Sequence, residues 1–296
     1  MAKIVTNDKS EHPIIAMRNL IDKKGLAVFN PINALPLHGD PYVSDFLTIA
    51  LNLQGHVKAE YDMQPAYFSP QDISIQPPGH ILRATEVEED YRAILVAISP
   101  DFMEEMKYLN NSVYVELRSY HWEPDTHLTD EQFKAVRTQL ELMGTIADSS
   151  TPRRREILKN MLAALTLLMQ DFRDKGGFGT LTPSPREELF SRFYQAIADH
   201  HHESHEVGFY ANMFCLSPKH FAAVIKQHTG TSASEWIRNY ILVQAKSLLQ
   251  YHPELTIKQV STQLGFPDQA SFSRFFRTYA GMSPSECRDR RIEPNL

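Results

Sequence analysis

Ile257-Lys-Gln-Val260-Ser261-Thr-Gln-Leu264-Gly265-Phe266-Pro-Asp268-Gln269-Ala-Ser-Phe272-Ser-Arg274-Phe-Phe276-Arg277-Thr-Tyr-Ala-Gly281-Met282-Ser283 is half of an internal repeat. The upstream copy runs Tyr210-Ala211, Leu216-Ser217, Phe221, Ile225, Gly230 and Ser232. Phe221, Ile225, Gly230 and Ser232 recur 51 positions later as Phe272, Phe276, Gly281 and Ser283. The leading halves are offset by 50, with Ala211 matching Ser261 and Leu216 matching Phe266, so the second turn holds one extra residue. Repeats at a fixed period mark a duplicated structural unit.

Each copy has the logic of a helix-turn-helix. The first helix needs a small residue against its partner, supplied by Ala211 or Ser261. The turn needs an apolar plug, Leu216 or Phe266. The second helix needs an N-cap, supplied by Ser217 with Pro218 following, or by Asp268. Phe221, Val224 and Ile225, or Phe272, Phe275 and Phe276, make its inner face. Gly230 and Gly281 stand where a left-handed C-terminal stop belongs. Cys215 reads as a small buried apolar residue ending the first helix of the first unit. Between the copies, Ser232-Ala-Ser-Glu235 is a capping box opening a helix to about Tyr251, with Trp236, Ile237, Tyr240, Ile241, Ala245, Leu248 and Leu249 on one stripe. Its ~19 residues span roughly 28 Å at ~1.5 Å each. Successive major-groove faces on one side of B-DNA are about 34 Å apart, so such a spacer suits two reading helices in adjacent grooves.

Ala245-Lys246-Ser-Leu248-Leu249, Ile257-x-x-Val260-Ser261-x-x-Leu264-Gly265-Phe266 and Phe272-x-x-x-Phe276-x-x-x-x-Gly281-Met282-Ser283-Pro284 together resemble the AraC/XylS family of bacterial transcription regulators, over about residues 188–291. The resemblance implies a seven-helix domain with two helix-turn-helix units, preceded by a cupin-like module for ligand sensing and dimerisation. One position departs from it: many members have Arg where this chain has Ile241, so an ion pair often made there is absent or replaced. Carried over by position, the outward faces are Lys219, His220, Ala222, Ala223 and Lys226 on the first reading helix. On the second they are Gln269, Ala270, Ser271, Ser273, Arg274 and Arg277. Arg reads guanine and Gln reads adenine bidentately, whereas Ala222 and Ala223 can only touch a thymine methyl. Lys219, Gln269 and Arg274 are expected to carry most of the base readout, with Lys226 and Arg277 on phosphates. The resemblance further implies a cytoplasmic homodimeric activator that binds double-stranded DNA and needs no cofactor. A small-molecule effector and RNA polymerase are further candidate partners; the effector's binding residues are not legible.

Upstream, the first ~120 residues read mainly as strands: Asp45–Asn52, His56–Tyr61, Ile73–Gln76 and Tyr91–Ile98, punctuated by Gly55, Ser69-Pro70 and Pro77-Pro78-Gly79, suggesting a barrel or sandwich. Helical spacing then takes over. Thr129-Asp-Glu-Gln132 is a capping box before the stripe Phe133, Val136, Leu140 and Met143. Thr151, as N-cap with Pro152 in the first turn, opens a helix with Ile157, Met161, Leu165, Leu168, Met169 and Phe172 on its apolar face. Ser184-Pro185-Arg-Glu187 caps a further helix with Leu189, Phe190, Phe193, Tyr194 and Ile197 on one side. The expected fold class is therefore α+β in two domains. A β-barrel, cupin-like as the resemblance implies, with a following helical pair (about 129–173) fills 1–173. A Gly-, Thr- and Pro-rich linker spans 174–183, and an all-α DNA-binding domain fills 184–296.

Composition bounds the rest. With 296 residues, 42% hydrophobic and 22% charged, the chain is ordinary globular material of about two domains. Two cysteines build neither a disulfide framework nor a zinc site. The first residues hold no apolar core, which reads against secretion, and the longest apolar stretch, Met161–Met169, is too short to span a bilayer. Of the net charge of −6, residues 1–187 carry −7 and residues 188–296 carry +1, so the acidity belongs to the first domain. His200-His201-His202 with His205 has the residue type of a metal site but reads as a solvated helix end. His38, His56 and His80 stand singly, without the His-x-His of metal-bearing cupin-like barrels. No phosphate loop or nucleophile elbow occurs, so catalytic and metal sites are both expected to be absent. The alternatives are a constitutive DNA binder whose first domain only dimerises, and a barrel enzyme with a DNA-binding appendage.

Overall fold

A computed structural model of the chain describes residues 13–32, 41–44, 46–62, 64–109, 117, 126–174 and 185–289. The chain divides into two compact units, residues 1–181 and 182–296. Apart from Asp174, the expected linker lies outside the described residues.

The first unit begins with α1 (Pro13–Lys24) and continues through β1 (Leu26–Ile32), β2 (Tyr42–Val43), β3 (Leu47–Gln54), β4 (Val57–Tyr61), β5 (Gln64–Phe68), β6 (Ile73–Gln76), β7 (Ile81–Val87) and β8 (Arg92–Ile98). The helices α2 (Pro100–Leu109), α3 (Asp130–Ala147) and α4 (Arg154–Asp174) follow. The strands form two four-stranded antiparallel sheets, ordered β1-β8-β3-β6 and β2-β7-β4-β5. Among the described residues no ladder joins the two, so the strands make an open pair of sheets and not the closed barrel expected. The pattern of side chains accounts for this. One face of the first sheet, with Leu47, Ile49, Leu51, Ile94, Val96 and Ile98, packs on Phe102 and Met106 of α2, Val136, Leu140 and Met143 of α3, and Leu158, Leu162 and Leu165 of α4. Its other face, with Ala27, Phe29, Ala93, Leu95 and Ala97, meets Val57, Ala59, Tyr61, Ala66 and Ala84 of the second sheet. Face-to-face stacking thus buries the inward rows without edge closure. Burial on both faces also explains why Ala93–Ile98 is an unbroken apolar run.

The capping box of α3 is present, Thr129 accepting from the Gln132 amide while the Gln132 side chain takes the Thr129 amide. The start of α4 differs from expectation. Ser149 Oγ donates to Thr151 Oγ1 at 2.9 Å, and the Arg154 amide closes a turn on the Thr151 carbonyl at 3.0 Å. The threonine hydroxyl is engaged backwards, and the helix begins only at Arg154. Its buried face is Leu158, Leu162, Leu165, Met169 and Phe172, with Ile157 and Met161 half-buried at its margin. Glu105 ties α4 to α2, accepting from Arg155 Nη2 at 2.7 Å and Lys159 Nζ at 3.0 Å.

The second unit is helical: α5 (Pro185–His200), α6 (Val207–Met213), α7 (Pro218–Thr229), α8 (Ala233–Tyr251), α9 (Ile257–Gln263), α10 (Gln269–Ala280) and α11 (Pro284–Asp289). The Ser184 cap lies outside the described residues, but the stripe it should introduce is in place, with Phe193, Tyr194 and Ile197 buried. Ile241, where the family resemblance leads one to expect Arg, is 1% exposed and part of the apolar stripe of α8.

Candidate nucleic-acid interface

The pairs α6–α7 and α9–α10 repeat one construction. Ala211 and Ser261 are buried where their helices meet the turn. The Leu216 amide donates to the Ala211 carbonyl and the Phe266 amide to the Ser261 carbonyl, both at 3.0 Å. Ser261 goes further than Ala211, its hydroxyl donating to the Asp268 carbonyl at 3.0 Å. Both turns place one residue in the left-handed region, Cys215 at φ 55° and Gly265 at φ 73°. Cys215 is therefore not the buried apolar residue expected: the turn lifts it out, and it is exposed. The extra residue of the second turn is Pro267, between the plug Phe266 and the cap Asp268.

Beyond the turns, the second helices of the two pairs start and stop alike. Ser217 Oγ accepts from the His220 amide, and Asp268 Oδ1 accepts from the Ser271 amide at 2.6 Å. That hydrogen bond, with Arg274 nearby, holds the Asp268 carboxyl below the usual range. Gly230 at φ 75° and Gly281 at φ 72° close both helices in the left-handed conformation. Phe221, Ile225, Phe272 and Phe276 are fully buried, while Phe275 is half-buried beneath Phe266 at 5.1 Å between ring centroids. Between the units, α8 has 19 residues and its Ser232–Glu235 capping box is made.

On α7, Lys219, His220, Ala223 and Lys226 are exposed and Ala222 is half-buried. On α10, Gln269, Ala270, Arg274 and Arg277 are exposed, whereas Ser271 and Ser273 are half-buried. Ser271 Oγ accepts from Arg274 at 3.3 Å. Because the helices are related by 51 positions, residues can be paired: Lys219 with Ala270, Ala223 with Arg274, and Lys226 with Arg277. The last pair keeps a cation at the same place in both, and the first two exchange methyl and cation. Two exposed residues continue these faces, Gln227 on α7 and Thr278 on α10, also a matched pair. The sequence signal was their four-residue spacing from Ala223 and Arg274.

The histidines have protein partners. His200 Nδ1 is 2.8 Å from Glu203, His201 Nδ1 lies on the Ile197 and Ala198 carbonyls, and His205 Nε2 is 2.7 Å from the Leu264 carbonyl. Burial pushes the His201 imidazole down. In the first unit His56 and His80 are not single either. His80 Nδ1 is 2.7 Å from Asp62 Oδ2 and its ring stacks on Tyr61, and His56 Nδ1 is 3.0 Å from Glu88. His38 lies outside the described residues. Among the described residues no three His, Cys, Asp or Glu side chains group to hold a metal, and no helix is long and apolar enough to cross a membrane.

Residues 210–290 match the family model for a helix-turn-helix domain. The chain is 30% identical over 171 residues to the HTH-type transcriptional activator RhaS of Escherichia fergusonii, covering 58% of each chain. It is 38% identical over 95 residues to the arabinose operon regulatory protein of Salmonella typhimurium, covering 32% of this chain and 34% of that one. The chain thus spans little more than half, or less, of these relatives' own lengths. A crystal structure of apo ToxT from Vibrio cholerae aligns over 88% of this chain and 96% of that chain at 13% identity, with a TM-score of 0.44.

Proposed function

We propose that the chain is a sequence-specific DNA-binding transcriptional activator of the AraC type and not an enzyme, a reading supported by the match of residues 210–290 to a helix-turn-helix domain model. The observation that carries this reading is the duplicated unit itself. Two capped helices present exposed polar faces at matched positions, and one 19-residue helix separates them. In this reading Gln269 and Arg274 address base edges on one side, Lys219 and His220 on the other, and Ala222, Ala223 and Ala270 touch thymine methyls. Lys226 and Arg277 hold phosphates, and Ser271 and Ser273 line the margin of the second face.

The first unit is read as a cupin-like sensing and dimerising module for a small polar effector. Two buried donors support an effector. Among the described residues Asn52 Nδ2 and Gln76 Nε2 meet no acceptor, although Asn52 Oδ1 accepts from Tyr91 and Gln76 Oε1 from Thr48. Both sit on strands whose other face is apolar, and a buried donor left unmet costs about 1–3 kcal/mol. The relatives named activators support RNA polymerase as a partner and the bacterial cytoplasm as the compartment. In this reading the Gly-, Thr- and Pro-rich sequence at 174–183 serves as the linker between the two modules.

The test is selection of duplexes from a randomised pool by the full chain, followed by mobility-shift titration at several salt concentrations. A shared motif should emerge, and binding to it should weaken steeply as salt rises. Equal affinity for every duplex would overturn the reading.

A further inference from the structure

The loop between α5 and α6 touches the end of α9 and the turn after it, and so gives the two helix-turn-helix units a second connection besides α8. The loop at residues 201–206 belongs to the first helix-turn-helix unit, where it is pinned on three sides. Tyr210 Oη donates to the Ser204 carbonyl at 2.9 Å. His201 sits on the Ile197 and Ala198 carbonyls. Its ring lies 5.3 Å from Tyr240 of α8. The far side of the loop touches the second helix-turn-helix unit. His205 Nε2 donates to the Leu264 carbonyl at 2.7 Å, and its ring lies edge-on to Phe266 at 4.8 Å. Leu264 is the C-cap of α9, so its carbonyl needs a donor from outside the helix.

The two turns then explain one residue that their shared backbone does not. Cys215 and Gly265 occupy the same left-handed conformation, and the first turn tolerates a side chain there. A Cβ at Gly265 would run into the His202 carbonyl. Glycine is required at 265 because the loop is docked on it.

We infer that the 201–206 loop is a strut that fixes the angle between the two reading helices, and that His205 is the positioning residue setting which half-site spacing the protein accepts. This rests on the DNA-binding reading above. A single helical rod leaves twisting and bending about its axis soft. A second contact away from that axis removes this freedom before binding, so properly spaced DNA need not impose the order itself. One inserted base pair turns the downstream half-site by about 35° relative to the first, which a pre-set pair of helices cannot follow.

The experiment uses the full chain and a duplex enriched by it from a randomised pool, together with versions lengthened or shortened by one base pair between the two contacted blocks. For the wild-type chain, the change should weaken binding by about tenfold or more, the size of a lost base contact. His205→Ala and His205→Phe should cut that penalty to about threefold or less, and His205→Gln, which keeps a donor at the same reach, should restore it. The readout is a ratio within each variant, so a general loss of stability cancels. If His205→Ala is too unstable to purify, His205→Phe alone decides. Variants that retain the full spacing penalty would overturn the strut. If the wild-type chain enriches no duplex, the DNA-binding reading itself fails, and this is seen before any variant is compared.

Discussion

At the scale of single residues, the left-handed positions of the second unit are the sharpest probes. Gly230 and Gly281 have positive φ, yet a Cβ at either meets nothing within 4 Å. Alanine there should lower stability only by the backbone term, about 1–2 kcal/mol in a urea titration. Gly265→Ala should cost more, because the His202 carbonyl must also move. Cys215→Gly should do the reverse. Relief of the left-handed strain, about 1–2 kcal/mol, outweighs the added chain entropy of glycine, about 0.5–1 kcal/mol. A net gain of about 0.5–1 kcal/mol should appear as a higher urea midpoint. On the reading face, Arg274→Ala should relax base preference by about 1–3 kcal/mol at one position, measured as the ratio of affinities for matched and substituted duplexes.

At the scale of elements, most of the second unit could be read from the sequence because its stops are chemical. Ser217, Asp268, Ser232 and the two glycines each announce a helix end by residue type alone. Ser217→Ala should therefore destabilise by about 1 kcal/mol in the same titration. The first unit was less legible. The sequence shows strands β3, β4, β6 and β8 to within about two residues, whereas β1, β2, β5, β7, α1 and α2 are not legible in it. Strand β7 shows why: of Ile81–Val87 only Ile81 and Ala84 are buried, and Arg83, Thr85 and Glu86 hide its alternation. Thr151 misled for another reason, since a neighbouring serine claimed its hydroxyl. The clasp between α2 and α4 has a pH signature. Hydrogen bonds from Arg155, then Lys159, lower Glu105 from 4.5 to about 2. A depressed carboxyl stabilises the fold fully above its unfolded value, and that contribution is lost as pH falls from about 4.5 towards 2. Glu105 is 41% exposed, so solvent screens the effect. Glu105→Gln should flatten the acid limb of a thermal-midpoint profile between pH 6 and 2 while lowering the neutral plateau.

At the scale of the whole molecule, the net charge of −6 is compatible with the proposed binding to DNA, since the acidity is concentrated upstream of residue 188. The log of affinity for a duplex should fall linearly with the log of salt concentration. Lys226→Ala and Arg277→Ala should each reduce the slope by about 1 and leave base preference unchanged. The repeat made the two matched exposed helix faces legible. It did not reveal the half-burial of Ala222, Ser271 and Ser273, which depends on how far each helix is rolled into its own core. The exchange of Ala223 for Arg274 at matched positions reaches into the genome. A methyl discriminates weakly and a guanidinium strongly, so under the proposed function the bases facing this one matched position should be lopsided. Those opposite Arg274 would be held nearly invariant by selection, and those opposite Ala223 would be free to drift from gene to gene.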